Sequence, residues 1–138
     1  MQRKMIKKFN KKAASGIIKG LEKNLFNKMD AVALRAHSRL VEITPVDLGQ
    51  ARAGWNFTLN EIDYSFPPKP PKGTTLPAPS TKLPSPKAKK FGDSYYISNF
   101  VAHIVFLNEG VALQSKGVPA NFIEREILAA IEEVRRAG

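Results

Sequence analysis

Residues 44–55 read TPVDLGQARAGW, and this stretch separates two parts of the chain with different hydrophobic periodicities. Before it, apolar residues recur at helical spacing; after it, they alternate as they do in a β-strand. A proline restricts the preceding residue to extended conformations, so Pro45 predicts that a helix ends near Ile43. We call residues 44–55 the hub, because they are the expected junction between a long helix and the first strand.

The later residues of the hub predict a short helical turn. Asp47 stands three residues before Gln50, which is the spacing of a capping box with aspartate at the N-cap. Arg52 follows on the same turn. Gly54 permits a change of backbone direction, and Trp55 begins the alternating run.

A long amphipathic helix is predicted before the hub, with Ser15 as its N-cap. Its apolar positions recur at steps of three and four: Ile18, Leu21, Leu25, Met29, Val32, Ala36 and Leu40. Its basic residues lie largely off this stripe: Lys19, Lys23, Lys28, Arg35 and Arg39. A helix of about 27 residues spans about 40 Å, so we expect one end to project or to pack against a neighbouring subunit. Residues 1–14 are expected to form a basic arm.

Alternating residues after the hub predict a small antiparallel sheet. Apolar and polar side chains alternate over residues 55–59, which is typical of a half-buried strand. Glu61 shifts the phase, and residues 62–66 continue one residue out of step, as a bulge or a strand end produces. Residues 91–99 (FGDSYYISN) are predicted to return as the second strand.

Residues 67–92 form a long connection between these strands that is rich in proline and lysine. Eight of the ten prolines fall here: Pro67, Pro68, Pro70, Pro71, Pro77, Pro79, Pro84 and Pro86. Six lysines accompany them: Lys69, Lys72, Lys82, Lys87, Lys89 and Lys90. Proline favours extended, solvated backbone, so a semi-rigid loop is predicted. It is either a basic arm that contacts a partner or DNA, or a variable hairpin tip without contacts; the unopposed lysines favour the arm.

Two further helices are predicted near the C-terminal end. Residues 101–107 are nearly all apolar and fit a short helix, with a buried strand as the alternative. Gly110 suits a left-handed helix end. Asn121 and Glu124 have the spacing of a capping box before a closing helix. The apolar face of that helix is predicted to comprise Phe122, Ile123, Ile127, Leu128, Ile131 and Val134.

These elements together predict a single α+β domain over residues 1–138. A long N-terminal helix and a C-terminal helix pack on a small antiparallel sheet, with the Pro/Lys-rich loop between the strands. At 138 residues the chain is long enough to bury one core of ordinary size.

The charge of the chain restricts its partners. The net charge is +10, and residues 1–40 hold 11 basic and 2 acidic side chains. Such an imbalance suits nucleic acid, an acidic protein surface or an anionic membrane; the alternative is a solvated helix face. The chain has no cysteine, which excludes disulfides and thiolate metal sites. It also lacks a secretory signal pattern and any apolar run long enough to cross a membrane.

An enzymatic function finds little support in the sequence. His37 lies in the long helix and His103 in the apolar run, with no partner at metal-ligand spacing. Asp47 and Glu109 are a conceivable acid–base pair, but Asp47 has a capping role. No phosphate-binding glycine loop or nucleophile elbow is present. We therefore expect no catalysis, no cofactor and no metal.

DNA-reading motifs are also missing from the sequence, which shows no helix-turn-helix, zinc-finger or RNP pattern. Non-specific phosphate contacts through lysine and arginine need only charge along a surface. A basic nucleic-acid-binding accessory protein is therefore the alternative function.

Three segments resemble a known family when they are taken in order. TPVDLGQARAGW resembles the TPVDTG.LR..W signature of the neck and tail-completion proteins of long-tailed bacteriophages. YYISN with VAHIVFLNEG resembles that family's strand, short helix and LNEG or EFG ending. Residues 114–122 loosely resemble its S.Q.P.GF segment. The resemblance covers residues 40–62 and 94–128, and the chain departs from the usual pattern at Leu48, Ala51 and 100–101.

The resemblance implies a structural protein of the virion that forms a ring at the junction of tail and head. Its expected partners are further copies of itself in six-fold or twelve-fold symmetry, and other tail and head-connector proteins. Non-specific contact with DNA in the ring's lumen through the loop lysines is a further expectation, and no membrane partner is expected. The protein would be made in the host cytoplasm and located in the virion.

Several residues of the resembling segments are expected to hold the hub together: Thr44, Pro45, Asp47, Gly49, Arg52, Trp55, Asn99, Glu109, Gly110, Pro119 and Phe122. The first four are expected to fix the turn. Arg52 is expected to pair with Glu109, the alternative being two exposed charges. Trp55 is expected to be a core residue, the alternative being an exposed interface residue.

Overall fold

The computed structural model describes residues 11–110 and 118–138. The elements are α1 (Lys11–Ile43), α2 (Gln50–Ala53), β1 (Asn56–Leu59), β2 (Tyr95–Ser98), α3 (Ile104–Glu109) and α4 (Phe122–Ala137). This is the α+β arrangement predicted from the sequence, with a long N-terminal helix, a C-terminal helix and a small antiparallel sheet. The first ten residues of the expected basic arm and the segment 111–117 lie outside the described residues.

Helix α1 ends where the proline predicts. Thr44 closes its last turn, since both the amide and the hydroxyl of Thr44 donate to the carbonyl oxygen of Leu40, at 3.1 and 2.5 Å. The predicted start at Ser15 is wrong, because the helix already includes Lys11. Residues 11–14 are lysines and alanines, which favour a helix, so they belong to α1 instead of the arm.

The two halves of α1 have different environments. Its buried residues lie from Phe26 onward: Phe26, Asp30, Ala33, Ala36, His37, Leu40 and Val41. The predicted apolar stripe is therefore only partly in the core, because Ile18, Leu21 and Leu25 are 54%, 64% and 45% exposed. The N-terminal half projects beyond the segments that cover the C-terminal half.

The sheet consists of two short strands. Strands β1 and β2 pair antiparallel, with Asn56 opposite Ser98 and Leu59 opposite Tyr95. Both are shorter than predicted. Asn60 has a φ of 64°, so β1 ends there, and residues 62–66 are not a strand continued after a bulge. The phase shift in the sequence therefore marks a strand end.

The apolar run 101–107 contains a helix, as predicted, and not the alternative strand; the helix begins at Ile104, later than predicted. Gly110 ends α3 with a φ of 77°, and its amide donates to the carbonyl oxygen of Leu107 at 3.2 Å. A left-handed terminus of this kind suits glycine because glycine lacks a Cβ.

Helix α4 packs antiparallel to α1 through charged and small side chains. Arg35 Nε lies 2.7 Å from Glu133 Oε2, and Arg39 Nε lies 2.6 Å from Glu126 Oε2. Ala130 is fully buried on the same side. The predicted apolar face is therefore wrong in part: Phe122 is buried, but Ile127, Leu128 and Ile131 are exposed.

The hydrophobic core lies around the hub. Its buried members come from α1, α2, Trp55, α3 and the start of α4: Leu40, Val41, Ala51, Trp55, Val101, Ile104, Leu107 and Phe122. The core therefore joins the hub, residues 101–107 and the start of α4, and it positions the candidate site.

Candidate partner-binding site

Trp55 connects the hub to the end of α1. Its side chain is 5% exposed, in agreement with the core interpretation. The indole Nε1 donates to Thr44 Oγ1 at 2.8 Å, and Thr44 in turn donates to the Leu40 carbonyl. This buried chain of hydrogen bonds fixes the angle at which the strand leaves the helix, because each polar group has a partner.

The short helix α2 begins differently from the prediction. Its N-cap is Gly49, with a φ of 79°, and no side chain caps it. Asp47 is exposed, and Gln50 Nε2 donates to the carbonyl of Pro67 at 3.0 Å. The capping box is therefore wrong, because the left-handed glycine displaces the aspartate side chain from the N-cap position.

Gly49 instead receives the Pro/Lys-rich loop. A Cβ at Gly49 would lie 2.6 Å from the carbonyl oxygen of Leu76, so only glycine permits this approach. The amide of Leu76 donates to the carbonyl of Leu48 at 2.8 Å, and Arg52 Nη2 donates to the carbonyl of Leu76 at 2.9 Å. Within the described ranges 11–110 and 118–138, Arg52 forms no ion pair with Glu109, so that prediction is wrong.

Asn99 joins the hub to the segment after β2. Its Nδ2 donates to the carbonyl of Ala51 at 2.7 Å, and its Oδ1 accepts from the amide of Val101 at 3.0 Å. Gly54 makes room for this contact, since a Cβ there would lie 2.5 Å from Val101 Cγ2. Asn99 thus acts as the predicted hub residue.

Asn108 is a structural residue that the sequence did not reveal. Its backbone carbonyl accepts from the amide of Asn121 at 2.6 Å, and its side-chain Oδ1 accepts from the amide of Ile123 at 3.0 Å. Asn121 itself has a φ of 60° and makes no capping hydrogen bond, so the predicted capping box with Glu124 is wrong. The cap comes from another helix, and spacing along the chain carries no signal for such a cap.

Two further contacts anchor the loop on the body. His37 Nδ1 lies 2.7 Å from Thr81 Oγ1, and its Nε2 lies 3.4 Å from the carbonyl of Trp55. The Trp55 carbonyl can only accept, so Nε2 carries a proton, and in the neutral ring the Thr81 hydroxyl donates to Nδ1. Burial lowers the pKa of His37, and the hydrogen bond to the Trp55 carbonyl opposes this in part.

The second anchor surrounds the buried side chain of Asp30. The Tyr95 hydroxyl donates to Asp30 Oδ1 at 2.5 Å and accepts from the amide of Ala88 at 3.0 Å. Lys87 Nζ lies 3.5 Å from Asp30 Oδ2. Burial, together with the bond to Asp30, raises the pKa of the Tyr95 hydroxyl. The end of the loop is therefore held on α1 while its lysines remain outside.

All six loop lysines have exposed side chains: Lys69, Lys72, Lys82, Lys87, Lys89 and Lys90. Only Lys87 of these six forms an ion pair with a described residue. The loop is thus a docked segment with an outward basic surface, which differs from a tip without contacts to the body. Whether a partner binds the lysines stays a prediction.

The structure brings five of the eleven named hub residues together and leaves others on the surface. Thr44, Gly49, Trp55, Asn99 and Phe122 lie in or against the core. The exposed members are Asp47, Glu109, Gly110 and Pro119, and Pro45 is half-buried. The side chains of Asp47, Glu109 and Pro119 are therefore available for contacts with another protein.

An open groove of about 640 Å³ runs along residues 57–64 and is closed on its other side by residues 84–86. Its carboxylates belong to Glu61 and Asp63. Hydrogen bonds from the hydroxyl and amide of Ser65 lower the pKa of Asp63, so this carboxylate is ionised at neutral pH. The Asp63 carboxylate therefore offers an acceptor of hydrogen bonds in this groove.

Metal-ligating side chains do not cluster in the described part of the chain: no group of three or more histidine, cysteine, aspartate or glutamate residues is placed to hold an ion there. The described helices also include none with the length and hydropathy needed to span a membrane.

Comparisons with models of known protein families, with curated proteins and with solved structures find no match to this chain.

Proposed function

We propose that this chain is a non-enzymatic structural protein of the virion of a long-tailed bacteriophage. In this proposal it completes or terminates the tail and joins it to the head connector as a ring oligomer. The observation that carries the proposal is the ordered resemblance of three segments, at the hub, at residues 95–110 and before α4, to neck and tail-completion proteins.

The packing of these segments supports the proposal. Trp55 of the first segment, Leu107 of the second and Phe122 of the third belong to one buried cluster. Asn99 bonds to the hub, and Asn108 caps the helix that follows the third segment. Residues that share one core have a common structural reason to occur together in sequence, whereas unrelated short matches would be scattered over the fold.

The charge distribution also suits a joining protein. An assembled ring repeats each weak contact around its axis, so modest single contacts become a firm joint. The exposed loop lysines and the projecting half of α1 are extensions of the kind that can contact neighbours or the DNA inside a ring.

The direct test is to purify the particles of the phage that encodes the chain and to analyse them by mass spectrometry and electron cryo-microscopy. The expected result is a stoichiometric ring at the junction of tail and head, and tails that fail to join heads when the gene is deleted. Absence of the chain from finished particles, with normal joining after deletion, would refute the proposal.

The second candidate function is a nucleic-acid-binding accessory protein, and the six exposed loop lysines favour it. That function requires tight binding of duplex DNA by the isolated chain, with an affinity that falls steeply as salt rises. The joining protein requires at most weak binding. Fluorescence anisotropy with a labelled duplex over a salt series separates the two, using as matched variants Lys69→Gln with Lys72→Gln on the loop and Lys19→Gln with Lys23→Gln on α1.

A further inference from the structure

The row of α1 residues that α4 covers continues beyond the end of α4. Steps of four and three along α1 define this row: Ile18, Leu21, Leu25, Lys28, Val32, Arg35 and Arg39. Residues at such spacing share one helix face. We call it the α4-facing row, because Arg35 and Arg39 pair with Glu133 and Glu126 of α4.

Helix α4 ends opposite the middle of this row. A Cβ at Gly138, the residue after α4, would lie 3.9 Å from Lys28 Cε, so α4 reaches this point of α1. Residues 11–27 extend about 25 Å past that point at 1.5 Å per residue. Leu21 and Leu25, the next two members of the row, are 64% and 45% exposed. The uncovered half of the row is therefore apolar, and it lies on the same face of α1 that α4 covers further along the helix.

Helix α4 carries a second uncovered apolar surface on its outer side. We call it the outer α4 stripe; its members are Ile127, Leu128 and Ile131, which are 36%, 65% and 44% exposed. They lie within one half of the helix circumference, because their spacings of one, three and four residues keep them adjacent. Exposed apolar patches of this kind on a folded domain mark contact surfaces.

We propose that the uncovered half of the α4-facing row in one copy binds the outer α4 stripe of the next copy. The contact continues an interface that the fold already uses, since α1 meets α4 within each chain. The contact is head-to-tail, because it joins two different surfaces and leaves the other surface of each copy free to bind a further copy. Repetition of the contact closes a ring or extends a filament. The inference rests on the proposed function for its ring, and it names the surfaces that would form it.

The charges favour contact between α1 of one copy and α4 of the next over a symmetric contact between two α1 helices. Residues 11–28 carry five lysines and one glutamate, so two such helices lying side by side repel each other. Helix α4 carries four glutamates and three arginines, a nearly balanced set. Most of these glutamates already form ion pairs within their own chain, so the basic half of α1 meets little repulsion from α4 of another copy and more from α1 of another copy.

The test uses the absence of cysteine from the chain, which makes single-cysteine variants free of background. Full-length Leu21→Cys and Ile131→Cys proteins, carrying tags of different mass, are mixed at high micromolar concentration and oxidised mildly. We expect the disulfide between the two variants to exceed either homodimer at least tenfold. The double variant should give a ladder of oligomers, because within one chain the two sites lie about 20 Å apart by helix rise, far beyond disulfide reach.

Val105→Cys is the matched control, since Val105 is 55% exposed on α3, outside both surfaces. Mixed with Leu21→Cys, it should give only background product. A dominant Leu21→Cys homodimer would overturn the proposal in favour of the symmetric pairing, and product no higher than the control would overturn it outright. A ladder from a protein that is absent from virions would refute the proposed function but support the contact. A protein that is present in virions but gives no ladder would refute the contact but not the proposed function.

Discussion

The two halves of α1 carry the same kind of apolar periodicity but meet different surroundings. From Phe26 onward the helix packs against the hub, α4 and the docked loop, whereas residues 11–25 are mostly exposed. The difference shows that a helical stripe in a sequence predicts an apolar helix face but does not predict which segments bury it. Those segments lie far along the chain, and here α4 packs only against the C-terminal half of α1.

The largest expected effect comes from removing a side chain at the covered end. Leu40 is 1% exposed in the core, so Leu40→Ala should lower the free energy of unfolding by about 2–5 kcal/mol through lost burial and a cavity. Urea titration of the dilute protein measures it. A loss below about 1 kcal/mol would mean that the core around the hub is not packed as described.

Loop docking at the hub gives the next largest effect. Gly49→Ala introduces a Cβ only 2.6 Å from the Leu76 carbonyl at a φ of 79°, and should cost about 1–3 kcal/mol. It should also speed hydrogen exchange at the Leu76 amide, which donates to Leu48. Gly73→Ala is the matched control, because Gly73 has a φ of 88° but nothing within 4 Å of the added carbon. Equal costs for both variants would argue against docking.

The hub shows which parts of the fold were predictable. Pro45 ended α1, Gly110 ended α3 and alternation located β1, because each signal acts through the backbone of its own neighbourhood. Both capping boxes failed. Gly49 and Asn121 adopt left-handed conformations there, and spacing alone does not specify φ.

Long-range partners were the part that the sequence did not specify. The exposed positions of Leu128 and Ile131 follow from ion pairs between α1 and α4, whose partners are about 90 residues apart in sequence. The anchoring of the loop through Leu76 and Thr81 is likewise non-local. Five of the eleven named hub residues do meet, but the contacts that join the hub to the loop became evident only in the structure.

The cap that Asn108 of α3 provides for α4 should have a smaller effect on stability, and Asn121 provides a contrasting variant. Asn108→Ala removes the acceptor for the Ile123 amide and should cost about 0.5–2 kcal/mol. Asn121→Gly should cost little, because Asn121 makes no side-chain cap and glycine tolerates its φ of 60°. Urea titration of both variants measures the contrast. The opposite ranking would restore the capping box predicted from the sequence.

The pH dependence of stability tests the anchor at His37. Its pKa is lowered in the folded state, so the unfolded chain takes up the proton first as pH falls. Stability should therefore decrease below about pH 6.5, with a slope of at most about 1.4 kcal/mol per pH unit. His37→Gln should flatten the curve between about pH 5 and 7, above the titration of most carboxylates. An unchanged curve for His37→Gln would contradict this role of the anchor.

The smallest effect on monomer stability is expected in the projecting N-terminal half of α1. Leu21 is 64% exposed and off the core, so Leu21→Ala should change the stability of the dilute monomer by less than about 0.5 kcal/mol. The same substitution removes apolar area from the uncovered half of the α4-facing row, so it should weaken any self-association seen by analytical ultracentrifugation. Residues of a contact surface are expected to affect assembly without affecting the stability of the monomer. A loss of monomer stability near that of Leu40→Ala would instead show that the projecting half is covered within its own chain.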